Sequence, residues 1–442
     1  MMLLPRYVQS CIDALENKGF SCYAVGGCVR DSLLGLVPHD YDLCTNARPE
    51  DIRRVFSHHG LVLAGEKHGT VGVITENGVV EITTYRTEGD YTDSRHPGWV
   101  EFVDDIAGDL ARRDFTVNAM AFSPSRGLAD PFGGGQDLEN KILRAVGDAS
   151  TRFEEDALRI LRGVRFGVRF SLVPEESTLE AMFSHTPLLD NIARERVFDE
   201  LCKLLPLIDA QGILRYQPII TQVIPELASG VGFDQHTPHH AYDVFTHTAH
   251  VVAQVPKDLT LRWAALLHDV GKVPTFTMDE NGRGHFLGHA QVSAQLADTI
   301  LRRLKAPTRL REDVVFLIDH HMLVPTGERR LLRRYLSRYG AERLTWLMAL
   351  QKADCQSKGV PCDMSVFDEM EAGLSAILAE KSCLALKDLA LNGRDLMSMG
   401  YVGPAIGKRL NQLLQLVVDE EIPNTRDALL AAIPQMEEAH EA

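Results

Sequence analysis

The sequence predicts an α+β protein: a mixed β-sheet with helices at the amino end, then a remainder that is helical almost throughout. Three observations point there. Short runs rich in β-branched residues are confined to the first third of the chain. From about residue 153 the apolar residues recur at helical spacing. Between them, Gly- and Pro-containing breaks mark the joins.

The elements follow in order. "SCYAVGG" (21–27) is a short apolar run ending in glycines, as strands do, and "CVRDSLLGL" (28–36) reads as a short helix opened by that turn. "GTVGVIT" (69–75) and "VVEITTYR" (79–86) alternate and predict a hairpin across Glu76-Asn77-Gly78. "GLADPFGGGQDLENK" (127–141) is turn-rich and closes this part near residue 147. "FEEDALRILRGVRFGVRF" (153–170) sets Ala157, Ile160, Leu161, Val164 and Val168 on one helical face. "SGVGFDQHTPHH" (229–240) reads as a domain boundary, followed by a histidine-rich helical segment to about residue 365 and a last helical unit. The expected divisions are 1–147, 148–228, 229–365 and 366–442.

Composition narrows the class. Hydrophobic residues make up 45% of the 442 and charged residues 24%, a globular balance with apolar mass for a large core. No apolar run is long enough to span a membrane, and the first residues lack the pattern of a signal peptide. The eight cysteines show no CxxC pairing, which predicts a reduced cytoplasmic protein using them as small core residues. The net charge of −15 argues mildly against a nucleic-acid partner, but the basic residues cluster: Arg159, Arg162, Arg165 and Arg169; Arg302-Arg303 with Lys305; Arg329-Arg330 with Arg333-Arg334. Taken alone, each cluster reads as a solvated helix face.

Chemistry concentrates first in "YAVGGCVRDSLLGLVPHDYDLCTN" (23–46). A glycine pair between strand and helix lets backbone N–H groups approach a phosphate closely, which makes Gly27 a candidate contact. Arg30 adds a guanidinium fork suited to phosphate oxygens. Asp40 and Asp42, two residues apart on an extended segment, share one face. Two unpaired carboxylates held together are costly, and Mg²⁺ removes that cost while also binding substrate phosphate. Two such ions about 3.5–4 Å apart can activate a hydroxyl and stabilise a leaving pyrophosphate. Glu81 is the candidate third carboxylate, although it could equally be an exposed strand residue.

"GGCVRD" followed by "HDYDL" resembles the signature of the nucleotidyltransferase superfamily that includes DNA polymerase beta. With "DLARRDFTVNAMAF" (109–122) and "EEDALRILRGVRF" (154–166), the chain resembles the class II tRNA nucleotidyltransferases, the CCA-adding enzymes. "LRWAALLHDVGK" (261–272) and "LALNGRDLMSMGYVGPAIGKRL" (389–410) extend the likeness to bacterial members bearing an HD domain, so it covers nearly the whole chain. The resemblance implies a nucleotidyltransferase head, an all-α neck, an HD body and a tRNA-gripping tail, with tRNA, CTP and ATP as partners.

The resemblance also implies that Arg113, Asp156, Arg159, Arg162 and Arg165 line the nucleotide site. Asp156 and Arg159, three apart, are expected to pair on one helix. Cytosine and adenine share an edge with an amino donor beside a ring-nitrogen acceptor, so a carboxylate and a guanidinium could admit both and reject uracil and guanine. "TEGDYTDSRHPGWVEF" (87–102) matches the loop through which the growing RNA end reshapes that pocket. Whether C, C and A are all added, or only CC or only A, is left open at this stage. His247, His268, Asp269, His289, His321 and Asp354 match the HD-domain metal hydrolases, with His320 the close rival of His321, and imidazole with carboxylate suits a transition metal or Mg²⁺. Rival readings are a bacterial poly(A) polymerase, disfavoured by the HD segment and the acidic tail "PQMEEAHEA"; a phosphohydrolase whose head merely binds nucleotide; and a non-catalytic RNA-binding protein.

Overall fold

A computed structural model of the chain describes residues 2–91, 97–380 and 382–441. Two compact units emerge, one of residues 1–225 with 303–305, the other of 226–302 with 306–442.

The first unit opens with α1 (Arg6–Glu16), whose Val8, Cys11, Ile12 and Leu15 are buried at the three-to-four spacing of an amphipathic helix. Then come β1 (Cys22–Val25), α2 (Gly27–Leu33), β2 (Asp42–Thr45), α3 (Pro49–Val55), β3 (Leu61–Val62), β4 (Thr70–Thr75), β5 (Gly78–Thr84), β6 (Arg86–Tyr91) and β7 (Pro97–Phe102). α4 (Ile106–Ala111), β8 (Ala121–Ser123), β9 (Gly127–Ala129) and α5 (Gly134–Glu139) complete the sheet region. Seven strands form one sheet in the order β3-β4-β5-β2-β1-β8-β9, and β6 with β7 forms a separate hairpin. The expected hairpin is present as antiparallel β4 and β5, with Thr75 opposite Gly78. β2 and β5 run parallel, which sets Asp42 beside Glu81, while antiparallel β1 sets Val25 beside Asp42. Of the stretch expected to reshape the nucleotide pocket, residues 92–96 lie outside the described residues.

The "GLADPFGGGQDLENK" segment is more regular than its glycines predict. The carboxylate of Asp130 accepts the N–H groups of Gly134 at 2.7 Å and Gly135 at 2.9 Å, so the glycine run starts α5 rather than a loop. The helix expected over 153–170 is two helices. α6 (Ala149–Glu155) stops at Asp156, whose backbone is extended at φ −148° and ψ 99°, and α7 (Leu158–Phe170) begins anew. α8 (Glu176–Ser184), α9 (Arg194–Leu204), α10 (Ala210–Arg215) and α11 (Gln217–Val223) follow, with α9 packed along α7.

The second unit is helical: α12 (Val244–Gln254), α13 (Leu259–Leu267), α14 (His289–Arg303), α15 (Thr308–His320), α16 (Arg329–Tyr339), α17 (Ala341–Gln356), α18 (Ser365–Ala379), α19 (Gly393–Ser398), α20 (Pro404–Val418) and α21 (Arg426–Glu441). α13 is buried along its whole length and forms the centre against which α12, α15 and α17 pack. The arginine cluster of α16 is not an open basic face. Arg329 pairs with Glu380 and Glu420, Arg330 with Glu421, and Arg334 with Asp419. Cys355 and Cys362 also depart from the fully reduced expectation. The end of α17 and the turn after it bring their Cα atoms to 5.9 Å in a disulfide, a pairing that a separation of seven residues did not signal. The other six cysteines form no disulfide, and no described helix is long and apolar enough to cross a membrane.

Arg333 is buried and donates to the carbonyls of Val418 at 2.8 Å and Val417 at 3.0 Å; the Val417 carbonyl also accepts the N–H of Glu420 at 3.1 Å, so the Val418 carbonyl is the group at the end of α20 that depends on the guanidinium. Arg333→Met is expected to cost about 1–3 kcal/mol of stability by orphaning the Val418 carbonyl. Chemical denaturation of the purified variant measures this, and an unchanged midpoint would remove the cap from the list of stabilising contacts.

Candidate active site

The glycine turn comes first because it sets the approach. Gly26 has φ +76°, so its backbone favours glycine, and a Cβ there would lie 2.7 Å from Nη1 of Arg113 and displace that side chain. Gly27 begins α2 and, with Asp42, lines a cavity of about 400 Å³. Asp42 opens β2, Asp40 stands two residues before it, and the strand register places Glu81 alongside. The Asp42 side chain reaches solvent, yet the surrounding wall strips enough water, and Asp40 and Glu81 repel enough, to push its carboxyl up to about 6. Arg113 opposes that shift from across the turn. A shared proton or a cation relieves such crowding, and an all-oxygen donor set suits Mg²⁺.

The same cavity is lined by Arg112, Arg113, Asp114, Asp156, Arg159, Arg162, Arg165 and Arg196, so the sequence-predicted carboxylate and arginines converge with the glycine turn. Their pairing differs from the expectation. Asp156 lies in the break between α6 and α7, not on a helix with Arg159. Its carboxylate accepts from Nη2 of Arg196 at 2.8 Å and from the N–H of Leu158 at 3.1 Å. Arg159 turns instead to Glu155 at 2.6 Å and to the carbonyl of Arg112 at 2.9 Å. Arg162 binds Asp114 at 2.6 Å, and Arg165 binds Glu200 at 2.7 Å. Burial works against the charge of Asp114, but Arg162 and Asn118 prevail and hold its carboxyl down at about 2.

Arg30 is likewise committed. It is buried, bonded to Asp31 at 2.6 Å and to Asn118, and sits 4.3 Å from the centroid of Phe170. Its place is the cavity wall, where it ties α2 through Asn118 to Asp114 and hence to Arg162 on α7. Sequence reasoning missed Asp114, Asn118, Arg196 and Glu200. Only the i, i+4 spacing of Arg196 and Glu200 in "RERVFDE" could have signalled a shared face.

In the second unit the histidines gather as expected. His247 Nε2 lies 3.0 Å from Asp354 and 3.5 Å from Asp269; His268 Nε2 lies 3.2 Å from Asp269. His289 Nε2 lies 3.2 Å from His321 Nε2 and 3.6 Å from Asp269. The Nδ1 atoms of His247, His268, His289 and His321 each face a backbone carbonyl, of Ser357, Ala265, Phe286 and Ile318, which turns all four Nε2 atoms inward. Nε2 of His247 and His268 are buried without a hydrogen-bond partner of good geometry, which leaves imidazole lone pairs directed into the cluster. Burial, then the neighbouring His268, lowers His321 to about 4 and keeps its imidazole neutral. His320 is outside the cluster, bonded to the carbonyl of Phe316 and stacked on its ring. His240 and Lys272, unforeseen, join the rim: His240 completes a ligand group with His247 and Asp354, and Lys272 Nζ lies 2.7 Å from Asp269.

Residues 22–144 match the family described as "Poly A polymerase head domain", residues 172–229 that described as "Probable RNA and SrmB- binding site of polymerase A", and residues 275–433 that described as "tRNA nucleotidyltransferase domain 2 putative". With the mixed sheet carrying its acidic edge, these matches define a nucleotidyltransferase. The CCA-adding enzyme of Streptococcus mutans is 34% identical over 97% of each chain, and that of Levilactobacillus brevis 33% identical over 96% of each. The crystal structure of Bacillus stearothermophilus CCA-adding enzyme in complex with CTP superposes with a TM-score of 0.73 at 27% identity, over 99% of each chain. Thermotoga maritima CCA-adding enzyme complexed with tRNA shares the fold, with a TM-score of 0.59 at 19% identity over 98% of this chain and 97% of that one. The chain belongs to the CCA-adding enzyme family.

The raised Asp42 carboxyl has a consequence for stability. Its folded value of about 6 lies above the usual value near 3.9, so the folded chain holds this proton more tightly than the unfolded one. Ionisation between about pH 4 and 6 therefore costs stability, and above pH 6 the cost is complete. Asp42→Asn is expected to raise Tm in chelator at pH 7.5, to raise it less at pH 4.5, and to abolish nucleotide addition. Equal melting of variant and parent at pH 7.5 would show that the crowding goes unfelt.

Proposed function

We propose that this chain completes the 3′ end of tRNA without a template, adding C, C and A from CTP and ATP. In each step the terminal 3′-hydroxyl oxygen attacks the α-phosphorus. A new phosphodiester bond forms, the bond to the β-phosphate breaks, and pyrophosphate leaves with its electron pair. One observation carries the reading: a single cavity is lined both by Asp42 with the glycine turn and by Asp156 with its arginines.

Asp40 and Asp42 are the residues to hold Mg²⁺, with Glu81 in register beside them. When bound, that ion would lower the cost of deprotonating the hydroxyl and offset charge on the departing pyrophosphate. Gly27 offers its backbone N–H to the triphosphate, and Arg113, whose Nε has no hydrogen-bond partner, faces the same turn. Asp156 accepts the amino group common to cytosine and adenine, while Arg159, steadied by Glu155, donates to the adjacent ring nitrogen. Arg30, Arg162 and Arg165 hold the wall in shape through Asp31, Asp114 and Glu200. Residues 1–147 would be the head, 148–228 the neck, 229–365 the HD body and 366–442 the tail against tRNA. A tRNA substrate implies a cytoplasmic site of action.

A second activity is favoured by the inward-turned imidazoles. His247, His268, Asp269 and Asp354, with His289 and His321, are suited to a transition metal or Mg²⁺, and we assign them to an HD-type phosphoester hydrolase.

Three outcomes test these readings. Asp40→Ala is expected to abolish incorporation of both C and A into tRNA ending before CC; incorporation at the parental rate would remove Asp40 from the mechanism. Asp156→Ala should let UTP and GTP compete, with a loss of selectivity of roughly 5- to 150-fold, matching about 1–3 kcal/mol per base contact; unchanged nucleotide choice would refute the base-reading role. His268→Ala should lower metal content, read by elemental analysis, and leave CCA addition intact; full metal retention argues against the HD assignment.

A further inference from the structure

Asp156 carries the base contact in the proposed function, yet no helix sets its direction. It occupies the extended break after α6, where a free carboxylate could swing among the surrounding guanidinium groups. Two contacts fix it. The N–H of Leu158 holds Oδ1 at 3.1 Å, and Arg196 spans both oxygens, Nη2 to Oδ2 at 2.8 Å and Nη1 to Oδ1 at 3.4 Å. The second contact comes from forty residues away in sequence and is a two-pronged clamp of the kind only a guanidinium makes.

The helix that delivers Arg196 is itself anchored. Arg196 and Glu200 lie four apart on α9, so they occupy one face, and that face meets α7. Glu200 is buried and binds Arg165 of α7 at 2.7 Å, with Lys203 at 3.3 Å on its other oxygen. One face of α9 therefore fixes α7 through Glu200 and the Asp156 carboxylate through Arg196. Each carboxylate oxygen has two acceptor positions, and these contacts leave capacity on Oδ2 for one more donor, the exocyclic amino group of the incoming base.

We infer that Arg196 is a specificity-positioning residue: by clamping Asp156 in the α6–α7 break, it aims the carboxylate at the amino edge shared by cytosine and adenine. The inference rests on the base-reading role of Asp156 given above. Arg196 is not a catalytic residue, since it acts through Asp156 and not on the reacting phosphorus.

The test measures steady-state incorporation of CTP, UTP, ATP and GTP separately on tRNA ending before CC and at CC. Parent, Arg196→Gln, Arg196→Lys, Asp156→Asn and the double variant Arg196→Gln/Asp156→Asn are compared, with Tm recorded for each. Arg196→Gln is expected to raise the KM for CTP and ATP and to reduce the CTP:UTP ratio of kcat/KM by roughly tenfold, within the range of one base contact. Its kcat at saturating CTP should change little, Arg196→Lys should restore part of the ratio, and the double variant should be no less selective than Asp156→Asn alone. Loss of helix packing alone would instead lower all four nucleotides together along with Tm, and that pattern overturns the inference. So does an unchanged CTP:UTP ratio in Arg196→Gln while Asp156→Asn loses it. If Asp156→Asn keeps the parental ratio, the base-reading role itself falls, and the inference with it.

Discussion

Like charges crowded where the start of β2 meets the middle of β5 are the constraint around which the head is organised. The parallel pairing of β2 and β5 sets Asp42 beside Glu81, and Asp40 stands close enough to add its own repulsion. Nothing in the hydrophobic core asks for that arrangement. It persists because the seven-stranded sheet fixes the register regardless of what these carboxylates prefer. A folded scaffold thus holds a locally unfavourable charge pattern ready for a cation, as functional sites commonly do.

The opposite sign is treated just as strictly. The cavity beside the acidic edge is rich in arginine, yet most of its guanidinium groups have carboxylate partners: Arg30 has Asp31, Arg159 has Glu155, Arg162 has Asp114, Arg165 has Glu200 and Arg196 has Asp156. Pairing fixes each planar group in one orientation, and stacking of Arg30 and Arg165 on Phe170 and Phe166 removes further freedom. The result is a rigid wall whose pattern of donors and acceptors can be complementary to one base edge. A wall of unpaired arginines would attract any nucleotide and distinguish none.

Much of this was legible in the sequence, and the exceptions have physical causes. The glycine turn, the β4–β5 hairpin and the Asp40/Asp42 pair depend on local backbone preference, which short stretches encode. Glu81 was placed on its neighbouring strand by pattern alone. The histidine cluster was legible because His268 and Asp269 stand adjacent in "LRWAALLHDVGK" and the other members follow the order of the resembled family. The helix break at Asp156 was not, since a residue of modest helix propensity inside an apolar period gives no stop signal. Nor were the partners of Arg162, Arg165 and Asp156, because salt bridges across tens of residues are decided by tertiary packing. Cys355 and Cys362 were missed because a separation of seven residues matches no recognised cysteine spacing.

The acid-matched arginines of α16 bear on how this protein meets a polyanion. Arg329, Arg330 and Arg334 already have their carboxylates in Glu380, Asp419, Glu420 and Glu421. A nucleic-acid backbone reaching that helix would trade one internal anion for another. Small cations set free from the polymer would still favour binding, but the four carboxylates left without partners would repel the phosphates and offset part of that gain. Attachment through α16 would consequently be weaker than an unpaired basic face would give.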